Sequence, residues 1–227
     1  MNYPMNKAIV RRITQVIFTL LLQGSLLFIS AGTLRWNWAW ILLATEIIIL
    51  LVNFVTLPGE VIKERGGEKE NVKKWDKMLM SISVIPSLGI YITSGLDYRF
   101  SWSPYFKSII NIISLIILLL SSILFTWSMV SNKFFSTMVR IQTERGHSIA
   151  VEGPYKYVRH PGYVGYILMI LATPVALGSL YALIASFLVM IIFIVRTVME
   201  DKTLMSELEG YKEYSHRVKY RLIPYLW

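Results

Sequence analysis

Polarity along the chain changes in long blocks. Six mostly apolar stretches, at residues 13–33, 36–57, 78–96, 108–131, 162–177 and 180–199, are separated by polar or charged connections. Several approach the roughly 20 residues that a helix needs to cross about 30 Å of hydrocarbon. Pro86 and Gly89 predict a bend in the third. The fifth is short and forms a hairpin with the sixth, turned at Gly178 and Ser179. The pattern predicts an all-α polytopic membrane bundle of about six transmembrane helices (five to six).

Composition removes the main alternatives to that picture. Of 227 residues, 55% are hydrophobic and only 16% charged, with a mean hydropathy of +0.53. Those values exclude disorder and fit poorly with an ordinary soluble domain. Lys and Arg counts in the successive connections, from the N-terminus, are 3, 1, 6, 2, 5, 0 and 6, with Arg196 at the inner end of the last crossing counted with the tail. The alternation predicts an even number of crossings with both termini cytoplasmic. The net charge of +9 then follows from topology, and no nucleic-acid partner is expected.

Absent motifs narrow the chemistry. There is no cysteine, so disulfides, thiolate metal sites and cysteine nucleophiles are excluded. No Gly-rich phosphate loop or GxGxxG fingerprint occurs, so no Rossmann domain is expected. His147, His160 and His216 have no metal-ligand spacing, and no metal site is expected. Residues 1–12, MNYPMNKAIVRR, read as the cytoplasmic start of the first helix rather than a cleaved leader.

The first half reads plainly. Residues 58–77, PGEVIKERGGEKENVKKWDK, mix both charge signs around a Gly-Gly turn and read as a solvated connection. Trp36, Trp38, Trp40 and Trp102 fall near crossing ends, where indole rings anchor the interface. Glu46 falls within the second crossing, where a carboxyl group is expected to find a partner or stay protonated. The chain is expected to form one membrane domain, with N-terminal helices over residues 1–131 and a cofactor-binding, catalytic region over residues 132–227.

Polar chemistry gathers in that second region. Residues 152–166, EGPYKYVRHPGYVGY, crowd tyrosines, cations and a histidine around two prolines. Gly153-Pro154 predicts a turn and His160-Pro161 a helix start, with Pro where its missing N–H does no harm. Arg196 and Glu200, four residues apart, share one helix face. Leu204, Leu208 and Tyr211 have helical spacing, so the tail is expected to begin as a helix against the membrane face. Aromatic faces and a carboxylate would attract a sulfonium, and a helix N-terminus with a basic side chain would hold a carboxylate. A pocket for a small zwitterionic cofactor at the cytoplasmic membrane boundary accounts for the combination. A snorkelling Arg with an i,i+4 carboxylate and a simple aromatic belt would account for the parts separately.

The segments His147 to Tyr155 (HSIAVEGPY), Arg159 to Gly165 (RHPGYVG), Arg196 with Glu200, Gly210 with Tyr211 and Tyr214, and Arg221 to Pro224 together resemble the isoprenylcysteine carboxyl methyltransferase family. That family is related to the phospholipid N-methyltransferases. The resemblance covers residues 142–227. It implies an S-adenosylmethionine-dependent membrane methyltransferase acting on an isoprenylcysteine-like or other lipophilic carboxylate that enters from the bilayer among membrane lipids. Gln142, His147, Ser148, Ile149, Ala150, Tyr155, His160, Pro161, Gly162, Tyr163 and Glu200 would contact the cofactor, and Arg196 would face the substrate carboxylate as the catalytic residue. Two departures stand out: the Gln142 to His147 spacing is shorter than in eukaryotic members, and Gly162 stands where serine is common.

A carboxylate is already ionised at pH 7 and needs no general base. An amine acceptor such as a phosphatidylethanolamine headgroup, the alternative, would need one, with Glu200, Glu144 and His147 as candidates. An NADPH-linked sterol-type reductase and a non-catalytic scaffold are the readings from other classes.

Overall fold

The structure is a computed structural model that describes residues 7–104 and 106–227; the first six residues of the expected lead-in lie outside the described residues. The chain is an all-helical, multi-pass membrane bundle. Its helices are α1 (Lys7–Ala31), α2 (Asn37–Thr56), α3 (Gly59–Gly66), α4 (Lys74–Phe100), α5 (Ser108–Val130), α6 (Pro161–Leu177), α7 (Ala182–Glu207) and α8 (Tyr211–Arg217). Five of them, α1, α2, α4, α5 and α7, are long and apolar enough to cross a membrane. At 17 residues α6 is shorter, about 26 Å at the helical rise. That length would cover most of about 30 Å of hydrocarbon, and α6 packs along α5.

That pairing is set by a glycine. A Cβ on Gly165 would lie 2.8 Å from the Ser121 carbonyl oxygen and 2.9 Å from the Phe125 nitrogen. The two backbones therefore approach as only a glycine allows. At its far end α6 closes on Gly178, with φ of 82°, and Asn111 of α5 donates to the Ala176 carbonyl at 3.0 Å. The expected α6–α7 hairpin is thus present and tied to α5.

Several elements differ from the sequence reading. Helix α4 runs for 27 residues and is longer at both ends than the apolar stretch, because polar residues such as Asp76 continue the helix beyond it. Helix α7 likewise runs on to Glu207, so Leu204 belongs to it, and the tail turns at Gly210 into the short α8. Residues 58–77 contain α3, whose Val61 and Ile62 are buried although charges dominate its composition. Trp36 is no interface anchor: it is 2% exposed and stacks on Tyr98 with ring centroids 4.5 Å apart. Trp40 and Trp102 are exposed, as anchors should be.

The core joins Leu27, Ala31, Leu42, Ile90, Leu118, Val189 and Phe193 from α1, α2, α4, α5 and α7. A second small cluster, Leu208, Tyr211 and Tyr214, packs on Ile141 and Ile149. It seats the tail on the α5–α6 connection, where the polar chemistry is concentrated.

Candidate functional site

The connection from Ser131 to His160 has little regular structure and is fixed by side chains. Glu64 of α3 accepts from Arg140 Nη2 at 2.9 Å and from Ser136 at 2.8 Å. Asp76 of α4, fully buried, accepts from the Val139 N–H at 2.7 Å. Gln142 donates to the Phe134 carbonyl at 2.7 Å and accepts from Arg145 at 2.6 Å. His147 Nδ1 accepts from the Gln142 N–H at 3.2 Å. Burial and the Arg140 and Arg145 guanidiniums push the His147 pKa down to about 4. The ring is neutral at pH 7, in keeping with Nδ1 as acceptor.

A buried carboxylate organises the next segment. Asp201 of α7 accepts from Arg159 Nε and Nη2, both at 2.8 Å, from Tyr211 at 2.9 Å and from Arg221 Nε at 2.9 Å. His160 Nε2 lies 3.2 Å from the same group. The tail adds backbone bonds, Arg159 N–H to the Tyr220 carbonyl at 2.9 Å and His160 N–H to the Arg221 carbonyl at 3.0 Å. Tyr214 donates to the Tyr155 carbonyl at 2.7 Å. Residues 159–161 are thereby clamped between α7 and the tail, and α6 starts at Pro161 with His160 as its N-cap, as the sequence predicts.

These elements surround an open cavity of about 260 Å3, lined by aromatic and aliphatic side chains with a set of polar and charged groups among them. Gln142, His147, Ser148, Ile149, Ala150, Tyr155, His160, Gly162, Tyr163, Arg196 and Glu200 all line it; Pro161 does not. The structure thus brings together the sequence-predicted residues with that one exception. Glu200 is the one carboxylate among the lining residues described, beside Tyr155, Tyr163, Tyr166, Tyr211 and Tyr214. The Tyr163 hydroxyl donates to Glu200 Oε2.

Arg196 does not pair with Glu200 across the helical turn. Its Nε donates to Asp76 Oδ1 at 2.7 Å and its Nη2 to Asp76 Oδ2 at 3.1 Å and to the Thr137 carbonyl at 3.0 Å. Only Nη1 is left out of these contacts. The guanidinium also lies 5.3 Å from the Tyr163 ring centroid. Held on several sides, it has one orientation.

A second, apolar cavity of about 620 Å3 lies among α1, α2, α5 and α6. Ile17, Ile47, Leu51 and Phe54 both line it and are exposed on the bundle surface, so it opens sideways between α1 and α2. Arg65, Phe125 and Tyr166 line both cavities and form their junction. Glu46 lines the apolar cavity, and its Oε2 is buried without a hydrogen-bond partner among the described residues.

Sequence reasoning missed Asp76, Asp201 and Arg65. Asp201 directly follows Glu200, and three cations near the RHP element could have prompted a search for an anion. Asp76 and Arg65 sit in a segment whose mixed charges read as solvated, and no local signal marks them. Gln142 lines the cavity, but its amide oxygen and nitrogen are both engaged within the connection, which suits its short spacing to His147. Gly162 has a steric reason: a Cβ there would meet Phe135 Cε2 at 2.7 Å.

Comparison with known proteins places the chain in a family. A family model described as "Isoprenylcysteine carboxyl methyltransferase (ICMT) family" matches residues 86–206. A protein-S-isoprenylcysteine O-methyltransferase of Schizosaccharomyces pombe is 33% identical over 86 residues, 37% of this chain and 36% of that protein. A probable protein-S-isoprenylcysteine O-methyltransferase of Oryza sativa subsp. indica is 28% identical over 90 residues, 39% of this chain and 47% of its own length. Protein-S-isoprenylcysteine O-methyltransferase B of Arabidopsis thaliana is 28% identical over 90 residues, 39% of this chain and 46% of its own length. The chain thus spans less than half the length of each of these relatives.

Proposed function

Because the chain belongs to the isoprenylcysteine carboxyl methyltransferase family, we propose that it transfers a methyl group from S-adenosylmethionine to the carboxylate of a lipophilic, isoprenylcysteine-like substrate. One observation carries this reading: a cavity lined by a carboxylate, tyrosines and cations meets a more apolar cavity open to the bilayer side of the bundle. A lipid tail and a charged donor need two such environments side by side.

The donor set fits the methyl donor. Glu200 among tyrosine faces suits a cationic centre, and the first turn of α6, where Pro161 has no N–H and those of Tyr163 and Val164 donate to the His160 carbonyl, leaves the Gly162 N–H for a carboxylate. The cavity volume is just under the about 300–1,000 Å3 of most small-molecule pockets. Exposed Ser148 at its edge leaves part of a ligand room toward solvent. When bound, the donor supplies an electrophilic methyl on a sulfonium.

The chain's own residues supply position. A substrate carboxylate at pH 7 is ionised and needs no base, so catalysis rests on alignment and exclusion of water. Arg196, pre-oriented by Asp76 and the Thr137 carbonyl, presents Nη1 to a carboxylate oxygen. His147, Ser148, Ile149, Ala150, Tyr155, His160, Gly162, Tyr163 and Glu200 form the donor wall, backed by Gln142 and Pro161. The amine-acceptor alternative is weaker, because Glu144 is exposed and bonded to Arg140, His147 has Nδ1 occupied and is a weak base with its pKa pushed down to about 4, and Glu200 already accepts from the Tyr163 hydroxyl.

We infer the orientation from the charge gathered at the same end of the bundle. Arg11 pairs with Glu68, Glu64 with Arg140, and the tail with residues 155–160, so the Lys- and Arg-rich segments gather on one side. That side is the cytoplasmic one, with both termini there.

The test is calorimetric titration of the detergent-purified chain with S-adenosylhomocysteine. The parent should bind, and Tyr155→Ala and Glu200→Ala should each weaken binding by about tenfold or more. A folded parent that does not bind would remove the methyltransferase reading.

A further inference from the structure

Most cations around the site have an anion. Arg140 has Glu64 and Glu144, Arg159 has Asp201, and Arg196 has Asp76. Arg65 is different. Among the described residues it makes no ion pair and no side-chain hydrogen bond; its guanidinium rests over the Phe125 and Phe135 rings, 5.8 and 5.7 Å from their centroids. Burial, with Arg12 close by, pushes its pKa down to about 9, so it is still charged at pH 7. Arg12, which also lines the apolar cavity, has no carboxylate partner among the described residues either.

Arg65 is half-buried, and a cation drawn partly out of water without a counter-ion destabilises a fold unless something else occupies the site. The position of Arg65 indicates the occupant. It stands at the junction of the two cavities, where an amphiphile with its chain among α1, α2, α5 and α6 would bring its polar end toward the methyl donor. Arg196 alone does not provide a positive environment, because Asp76 and Glu200 place two carboxylates around one guanidinium. We propose that Arg65, seconded by Arg12, is the specificity-determining residue of the site: it receives the anionic end of the acceptor and makes the site select a lipophilic acid. This rests on the carboxyl-methylation reading above. Arg65 lies outside the segment matched by the family, residues 86–206, so the proposal concerns a part of the chain that the family match does not cover.

The experiment uses the whole chain in detergent with two probes, N-acetyl-S-farnesylcysteine and the same molecule with its carboxylate replaced by a carboxamide. The parent should methylate the acid, and the carboxamide should compete at least about tenfold more weakly. In Arg65→Met the KM for the acid should rise at least about tenfold, while carboxamide competition and S-adenosylhomocysteine affinity stay within about twofold. Arg65→Lys, with charge but no planar fork, should fall between. The melting temperature of Arg65→Met should hold or rise, since a half-buried charge without an ion-pair partner among the described residues is removed. A KM within twofold of the parent, an equal loss for acid and carboxamide, or a lowered melting temperature would overturn the role of Arg65 while leaving the methyltransferase reading standing. A parent that binds S-adenosylhomocysteine but methylates no acid would overturn the acceptor reading and this inference with it.

Discussion

At the scale of single residues, the site is built by buried carboxylates that neutralise and aim cations. Asp201 gathers Arg159, Arg221, Tyr211 and His160 around one side chain. Removing its charge leaves Arg159 buried and unpaired, which typically costs about 3–5 kcal/mol. Asp201→Asn should therefore lower the melting temperature in detergent and weaken S-adenosylhomocysteine binding, because the start of α6 is no longer clamped. Unchanged stability would contradict the clamp. The sequence exposed the cations, through the RHP element, and placed Arg196 and Glu200 on one helix face. It could not expose their partners. Asp76 meets Arg196 across 120 positions of chain, and helical spacing carries no information about a contact that only tertiary packing creates.

At the scale of elements, legibility followed hydrophobic length. Crossings with twenty or so apolar residues were readable because the bilayer imposes one dominant requirement, satisfaction of every backbone polar group within the helix. Helix α3 was not, since its few buried positions are diluted by charges that turn out to bond the α5–α6 connection. The ends of α4 and α7 were misplaced for a related reason: both helices continue past the apolar stretch, and there they carry Asp76 and Asp201. The α5–α6 contact permits a direct test. Gly165→Val would drive a side chain into the backbone of Ser121 and Phe125, and overpacking of this kind costs about 1–3 kcal/mol or more. The variant should unfold at lower temperature than the parent and bind S-adenosylhomocysteine less tightly, since α6 carries Tyr163 and Gly162. A variant matching the parent in both would show that the two helices have room to separate.

At the scale of the whole molecule, the multi-pass helical class was legible and the internal space was not. Glu46 could be flagged as an intramembrane carboxyl, but the cavity it lines depends on how α1, α2, α5 and α6 fit together. The same fit makes Arg65, Phe125 and Tyr166 a junction rather than three unrelated side chains. The account is that a methyl donor on the polar side meets a lipid acid on the apolar side, with no general base between them. The most direct measurement is transfer of tritiated methyl from S-adenosylmethionine by the purified chain, offered N-acetyl-S-farnesylcysteine and phosphatidylethanolamine vesicles in parallel from pH 6 to 8. The account predicts label in the farnesylated acid, released as methanol by base, at a rate nearly constant over that range, because the acceptor is already ionised and His147, with its pKa near 4, is neutral throughout. Base-stable label in the phospholipid, rising steeply with pH, would contradict it.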